Sequence, residues 1–182
     1  MGAVLAAADA AMFWQADSTP NDQLLLYCFA AQRYPTSAEA DEILDGLVAR
    51  ARRIDDLGLR VQPVLGDLDY PRWVRRDAPL PAVHHRRPES WPQVLAAVGA
   101  LPALDLRRSA AALHLFGPVW GAPRSSGLAW VVVLQAGHAV GDGRRSSALA
   151  RALLGGGRAP RGGARPTPVP AVAAPVAGLL SS

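Results

Sequence analysis

The sequence contains few of the residues that mark several classes of protein. Its 182 residues include one cysteine, Cys28, and 6% aromatic residues, and no lysine accompanies its arginines. A lone cysteine excludes a framework of internal disulfides and is typical of a reducing compartment. No apolar stretch is long enough and free enough of charge to span a bilayer, so surface attachment is the remaining form of membrane contact.

The start of the chain does not have the pattern of a secretory signal. Residues 1–13 read MGAVLAAADAAMF, with no basic residue at the start and with Asp9 inside the apolar run. A signal peptide has a positively charged start followed by an uninterrupted apolar centre. Together with the lone Cys28, this predicts a cytoplasmic protein.

The positive charge of the chain is scattered. The formal net charge is +4, and the arginine runs at 50–53, 75–76, 86–87 and 144–145 lie among acidic residues or at loop ends. Aromatic residues do not alternate with them, as they do on surfaces where single-stranded nucleic acid stacks. The pattern favours a solvated surface and predicts no nucleic-acid partner.

Helical and extended patterns alternate along residues 1–154. This order favours an α/β (α+β layered) domain over a helix bundle or a β-sandwich. We predict helices at 3–17, from Thr36 or Ser37 to near Gly58, at 91–101 and after residue 143. We predict strands at 23–31, 59–65, 73–74, 112–116 and 130–134, and irregular connections at 83–88 and 117–127.

The last segment, 155–182, has a different composition. It begins GGGRAPRGGARPTPVP and shows no hydrophobic period. Such a stretch is typical of a linker or a disordered tail. The predicted organisation is therefore a domain at 1–154 followed by a Gly/Pro-rich segment at 155–182.

The stretch 128–154 has the pattern of a strand, a loop and a helix. An apolar, β-branched run leads to Gly137 and His138, and the loop then passes through Gly141, Asp142 and Gly143 into a helix. A histidine held in this way is either a structural residue or a general base, and spacing alone leaves the two readings balanced. Asp142 is expected to cap the helix or to pair with a buried arginine.

The remaining histidines and serines carry weaker signals. His84 and His85 lie among arginines and a proline, where an exposed loop is expected, and no further ligand stands at metal spacing. His114 lies in an apolar strand and is expected to be structural. The chain contains no G-x-S-x-G segment, which disfavours a serine hydrolase. We therefore predict neither a metal nor a bound cofactor.

The segment 137–143, GHAVGDG, resembles the His-His-x-x-x-Asp-Gly motif of the CoA-dependent acyltransferase superfamily. This superfamily includes chloramphenicol acetyltransferase, condensation domains of peptide synthetases and the bacterial wax ester synthase/diacylglycerol acyltransferases. The last group is the most similar, since its chains open with a helix containing Asp-Ala-x-Phe and carry a Leu-Asp-x-x-Arg segment. Here DAAMF at 9–13 and LDLRR at 104–108 are similar to these.

The resemblance implies the N-terminal half of a chloramphenicol-acetyltransferase-like fold built of two halves, with a mixed sheet and flanking helices. It implies transfer of a fatty acyl group from acyl-CoA, as co-substrate, to a long-chain alcohol or diacylglycerol, with His138 as general base. Asp142 would hold the loop through an ion pair, and Gly143 would permit the turn. A complementary C-terminal half is an implied partner, and an enzyme of such substrates would lie at the surface of a membrane or lipid body.

Two features depart from the motif pattern. Gly137 stands where the family has its first histidine, and the Pro-Leu-Trp that usually follows the Leu-Asp-x-x-Arg segment is absent, with three alanines at 110–112 nearby. These departures keep two alternatives open. One is a non-catalytic remnant or interaction module of the same fold, and the other is a condensation-like domain that acts on carrier-protein thioesters.

Overall fold

A computed structural model describes residues 2–155, and the predicted tail therefore lies outside the described residues from position 156 onward. Within these residues, seven strands form two sheets, and four helices accompany them. In chain order they are β1 (Ala3–Val4), α1 (Ala7–Ala16), β2 (Gln23–Ala30), α2 (Ser37–Ala51), β3 (Leu59–Gln62), β4 (Arg72–Arg75), β5 (Ala82–His85), α3 (Trp91–Gly99), β6 (Ala111–Val119), β7 (Ala129–Ala136) and α4 (Gly143–Leu153). Short 3₁₀ turns lie at Asp55–Gly58, Leu65–Asp67 and His138–Val140.

The larger sheet has the strand order β2-β7-β6-β5. Strand β7 is antiparallel to both β2 and β6, whereas β5 is parallel to β6. The sheet is thus mixed and is flanked by helices, which confirms the predicted fold class. The continuous apolar run of β7 is explained by its central place, because a strand covered on both faces needs apolar side chains on both.

Two hydrophobic cores lie on opposite faces of this sheet. Alternate residues of β7 point to opposite sides, so Val132 and Leu134 join one core, and Val131 and Val133 join the other. The first core includes residues of α1, α2 and α4, and the second is closed by α3. Among the described residues, no helix has the length and apolar character required to cross a membrane.

The smaller sheet corrects the predicted start of the first helix. Its strand order is β1-β4-β3, and Ala3 and Val4 pair with Trp73 and Arg72. A helix beginning at residue 3 would remove these backbone pairs, so α1 begins at Ala7 instead. The predicted strands around 59–65 and 73–74 are present, although β3 ends at Gln62 because the next residue, Pro63, has no N–H to donate.

The segment with His84 and His85 was expected to be an exposed loop, and this prediction is wrong. Both residues belong to β5, in which His84 and His85 stand opposite Leu115 and Phe116 of β6. Local sequence did not reveal this strand because its parallel partner lies about 30 residues away. The β6 strand also extends beyond its predicted end at Phe116 to Val119, through a change of register.

Helix α2 shows how local sequence sets one helix boundary and misses the other. Thr36 caps its start, since the Thr36 Oγ1 accepts from the Glu39 N–H at 3.3 Å and the Glu39 carboxylate accepts from the Thr36 N–H at 2.7 Å. The helix ends at Ala51, earlier than the predicted end near Gly58. Ile54 is extended and buried, so it joins the core from the connection and not from the helix.

Candidate active site

The loop that follows β7 holds His138 through its backbone. Gly137 N–H donates to the Ala110 carbonyl at 3.0 Å, and Val140 N–H and Gly141 N–H donate to the carbonyls of Gly137 and His138 at 3.0 and 3.2 Å. Ala139 and Val140 are buried in the core, whereas His138 is half-buried. The loop is therefore anchored by its apolar residues, and His138 stays partly exposed.

Gly137 is required by a close contact with Leu106. A Cβ on Gly137 would lie 2.3 Å from Leu106 Cδ2 and 3.1 Å from Leu106 Cδ1. Leu106 is buried and belongs to the LDLRR segment at 104–108. The leucine thus occupies the room that a histidine would need at the first motif position. Sequence reasoning singled out this segment but did not predict that contact.

Gly141 has the unusual backbone in this loop, whereas Gly143 does not. Gly141 has a φ of 154°, and a Cβ there would lie 2.3 Å from Arg145 Cδ. A Cβ on Gly143 would meet nothing within 4 Å, and its backbone lies at the start of a regular helix. The backbone conformation that favours glycine therefore lies at Gly141 and not at Gly143, the residue that the resemblance pointed to.

Asp142 caps α4. Its Oδ1 accepts from the Arg145 N–H at 2.9 Å, and its side chain is exposed. Within residues 2–155 it forms no ion pair, so the structure selects the capping role and not the pairing with a buried arginine that the resemblance implied. A carboxylate at this position also lies at the positive end of the helix dipole.

The arginine next to the loop pairs with a different acid. Arg145 Nη2 lies 2.6 Å from Asp56 Oδ2, with side chains that are 18% and 14% exposed. Burial raises the pKa of Asp9 on α1, and the positive charges of Arg145 and of protonated His138 oppose that rise. Asp9 therefore lies near both Arg145 and His138. No sequence pattern predicted that Asp56 and Arg145 would form an ion pair beside this loop.

One further side chain reaches the loop from the start of β2. Gln23 Nε2 donates to the Gly141 carbonyl at 2.7 Å. The glutamine and the glycine are distant in sequence, and they meet because Gln23 pairs with Ala136 at the end of β7. Gln23 thus fixes the orientation of the Gly141 peptide.

A second polar cluster lies within the large sheet. Gln135 Nε2 donates to Asp22 Oδ2 at 2.7 Å and to the Pro102 carbonyl at 2.9 Å, so its Oε1 must accept from His114 Nε2 at 3.0 Å. A neutral His114 then accepts from His85 through Nδ1, at 3.0 Å. Each side chain in this series of hydrogen bonds, from His85 through His114 and Gln135 to Asp22, thus has a defined role as donor or acceptor.

The histidine chain is separate from His138. His85 pairs with Phe116 of β6. The end of the sheet near His138 is marked by the pair Ala111 and Ala136, and Ala111 lies five residues before Phe116 on β6. Burial lowers the pKa of both His85 and His114. His114 is therefore structural, as predicted, and no group of three or more metal-ligating residues is present in the described part of the chain.

An open cavity of about 270 Å³ borders Leu106. Its lining includes Phe13, Asp17 and residues 103–107. Arg107 crosses this region and donates to the Asp17 carboxylate at 2.7 Å from both terminal nitrogens. His138 does not line this cavity, so the cavity alone does not bring a ligand to the imidazole.

Comparison with solved structures shows the fold. TRI101 of F. sporotrichioides, complexed with coenzyme A and T-2, matches with a TM-score of 0.58 and 11% identity over 84% of this chain and 40% of that chain. The starter condensation domain of rhizomide synthetase RzmA matches with a TM-score of 0.60 and 13% identity over 84% of this chain and 36% of that chain. The described domain thus has the fold of one half of these proteins.

A third solved structure is the X-domain in complex with OxyB from teicoplanin biosynthesis. It matches with a TM-score of 0.60 and 15% identity over 89% of this chain and 35% of that chain. The chain accordingly spans two-fifths or less of the length of these three structures. Neither a family model nor a curated protein matches the sequence.

Proposed function

We propose that the chain is the N-terminal half of an acyltransferase that uses an acyl thioester, with His138 as general base. The observation that carries this proposal is the placement of His138. The ring is half-buried on a loop whose backbone is fixed at Gly137, Val140 and Gly141. A catalytic imidazole needs such a rigid support together with access to substrate.

The reaction needs only one proton acceptor from this half. The imidazole Nε2 accepts the proton of the acceptor hydroxyl while the hydroxyl oxygen attacks the carbonyl carbon of the thioester. The tetrahedral intermediate then collapses, the C–S bond breaks, and the proton passes from the imidazolium to the leaving thiolate. The products are an ester and a free thiol. Histidine suits both proton transfers because its ordinary pKa lies close to physiological pH.

The substrate class comes from the sequence motifs and from one solved neighbour. The DAAMF and LDLRR segments favour a wax ester synthase/diacylglycerol acyltransferase type of enzyme, in which acyl-CoA donates to a long-chain alcohol or diacylglycerol. A neighbour solved with coenzyme A supports a CoA thioester as donor. The proposed site of action is cytoplasmic, at the surface of a membrane or lipid body.

A complementary C-terminal half is part of the proposal. The solved neighbours are more than twice as long as the matched region, and the cavity next to Leu106 does not enclose His138. A second half would cover the exposed side of the imidazole and form the other wall of a substrate channel. Acceptors of long apolar chains require such a channel to exclude water.

The test measures ester formation from palmitoyl-CoA and hexadecanol. The 182-residue chain is assayed alone and after co-expression with a complementary C-terminal half. We expect turnover only with the second half, and a loss of about 10² to 10⁴ in rate for His138→Ala. Turnover by the chain alone would refute the need for a second half. Full activity of His138→Ala would refute the role of His138.

An interaction module is the second candidate function. Leu106 fills the space at Gly137, and one solved neighbour of the same fold is an X-domain in complex with OxyB. Calorimetric titration separates the candidates. Binding of CoA supports the acyl-CoA enzyme, binding of a phosphopantetheinyl carrier without CoA supports a condensation-like domain, and binding of neither favours the interaction module.

A further inference from the structure

We propose that Arg145 and Asp56 are positioning residues for His138, and that their ion pair holds the 137–143 loop in place of the ion pair expected at Asp142. This inference rests on the proposed function, because positioning has a catalytic meaning only if His138 is the base.

The Arg145–Asp56 pair is more buried than the other arginine ion pairs within residues 2–155. Both of its side chains are less than one-fifth exposed, whereas each of the other arginine pairs has side chains at least 37% exposed. Arg145 Nε is also buried without a hydrogen-bond partner in the described residues. Burying two charges and an unpaired donor opposes folding, so stability alone is a weak explanation for this pair.

The pair acts on the loop through the aliphatic part of Arg145. Three carbons of that side chain lie so close to Gly141 that a Cβ there would be 2.3 Å from Cδ, 2.9 Å from Cβ and 3.0 Å from Cγ. Gly141 N–H donates to the His138 carbonyl at 3.2 Å. Asp56 fixes the guanidinium, the arginine stem covers Gly141, and Gly141 holds the backbone of His138.

Gln23 completes the enclosure of Gly141. Its amide donates to the Gly141 carbonyl at 2.7 Å, so the peptide is fixed at its oxygen by Gln23 and covered at its α-carbon by Arg145. The second arginine of the Arg144–Arg145 pair is therefore the one that contacts the loop. Arg144 is exposed and shows no such contact.

The charges around the loop favour a fixed Arg145. Asp9 on α1 faces both Arg145 and His138, and Asp142 accepts from the Arg145 backbone. Without Asp56, the guanidinium would have two nearby carboxylates to choose between and would leave Gly141 uncovered. The Asp56 carboxylate selects one position for it.

The test uses the complete 182-residue chain and the variants Arg145→Met and Asp56→Asn. Arg145→Met keeps an aliphatic stem and removes the charge, and Asp56→Asn removes the opposite charge with little change of shape. We expect amide hydrogen exchange at Val140 and Gly141 to become about tenfold faster in both variants. The imidazole ¹H–¹⁵N signals of His138 should move, whereas those of His114 should not.

Asp55→Asn is the matched control. Asp55 is the sequence neighbour of Asp56 in the same 3₁₀ turn and pairs with the exposed Arg75. The same chemical change at this position should leave the amides of Val140 and Gly141 and the signals of His138 as they are in the parent chain. Equal effects of Asp55→Asn and Asp56→Asn would overturn the proposal, since the effect would then belong to the turn.

Unchanged exchange and unchanged His138 signals in both main variants would also overturn it. If Arg145→Met and Asp56→Asn do not fold, Asp56→Glu takes their place, because it keeps the carboxylate and lengthens it by one methylene. The same two amides and the His138 signals must then respond, and the absence of a response rejects the proposal that the Arg145–Asp56 ion pair holds the loop. These readouts need no substrate, so a negative acyl-transfer assay would reject the proposed function and leave the test of the ion pair unaffected.

An activity assay on the chain together with its C-terminal half tests whether the ion pair also affects catalysis. Asp56→Asn should lower kcat about tenfold with little change in KM, because a displaced base weakens the transition state more than the bound substrate. An unchanged kcat would reject positioning even if the exchange rates change.

Discussion

His114 lies on β6 and His138 on the loop that follows the neighbouring strand β7, and their side chains have different surroundings. His114 is buried, and both of its ring nitrogens have partners, in Gln135 and His85. His138 is half-buried, and among the described residues the hydrogen bonds that hold its loop come from backbone groups and from Gln23. His114 is thus part of a buried hydrogen-bond network, whereas the ring of His138 is not among the groups that hold its loop.

The largest effect should come from removing the buried ring. His114→Ala leaves Gln135 Oε1 and His85 Nε2 without partners, so the free energy of unfolding should fall by about 3 kcal/mol in a urea titration. His138→Ala serves as the control and should change the unfolding free energy by less than about 0.5 kcal/mol. Equal losses in the two variants would remove the contrast between the two histidines.

Replacement of Gly137 should have the next largest effect. Gly137→Ala places a methyl group against Leu106, and we expect a loss of about 1 to 3 kcal/mol from overpacking. The double variant Gly137→Ala/Leu106→Ala supplies room for that methyl group. The two substitutions should therefore be less destabilising together than the sum of their separate effects. Strict additivity of the two losses would show that the contact is unimportant.

The dependence of stability on pH gives a further test of the histidine chain. Burial lowers the pKa of His85 and His114 below the usual value of 6.5. The folded state then binds fewer protons than the unfolded state, so the contribution is fully present above pH 6.5 and is lost as the pH falls through the range between the unfolded and folded pKa values. Urea midpoints measured from pH 7.5 to pH 5 should decrease, and the decrease should be smaller in His114→Asn.

The smallest effect is expected at Asp142. Asp142→Ala removes the helix cap and should lower the unfolding free energy by about 1 kcal/mol, whereas Asp142→Ser should restore most of the loss. An ion pair would give a different result, because serine could not replace a charge. Failure of serine to restore stability would therefore support the ionic role that the resemblance implied.

The fold was predictable where local pattern and burial agree. The β7 run is apolar on both faces because both faces are covered, and α2 begins where Thr36 and Glu39 form a capping box. Strand β5 was not predictable in the same way. It has four residues, two of them histidines, and its pairing with β6 depends on chain that is distant in sequence.

The candidate site was predictable only for the residues that are contiguous with His138. The loop and the cap at Asp142 follow from the spacing of glycine and aspartate. The supporting residues Gln23 and Asp56 lie 118 and 89 positions from their partners, Gly141 and Arg145. Such contacts depend on the order of strands and on the packing of a 3₁₀ turn, neither of which a local pattern contains.

Asp22 belongs to both of the regions compared above. Its Oδ2 accepts from Gln135 in the histidine chain at 2.7 Å and from the Leu104 N–H at 2.8 Å, two residues before Leu106. A substitution at Asp22 therefore disturbs both regions, and its effect cannot be divided between them. Double-mutant cycles of Asp22→Asn with His114→Ala and with Leu106→Ala should both show energetic coupling. The stability of the buried histidine network and that of the segment next to Gly137 therefore depend on one shared carboxylate.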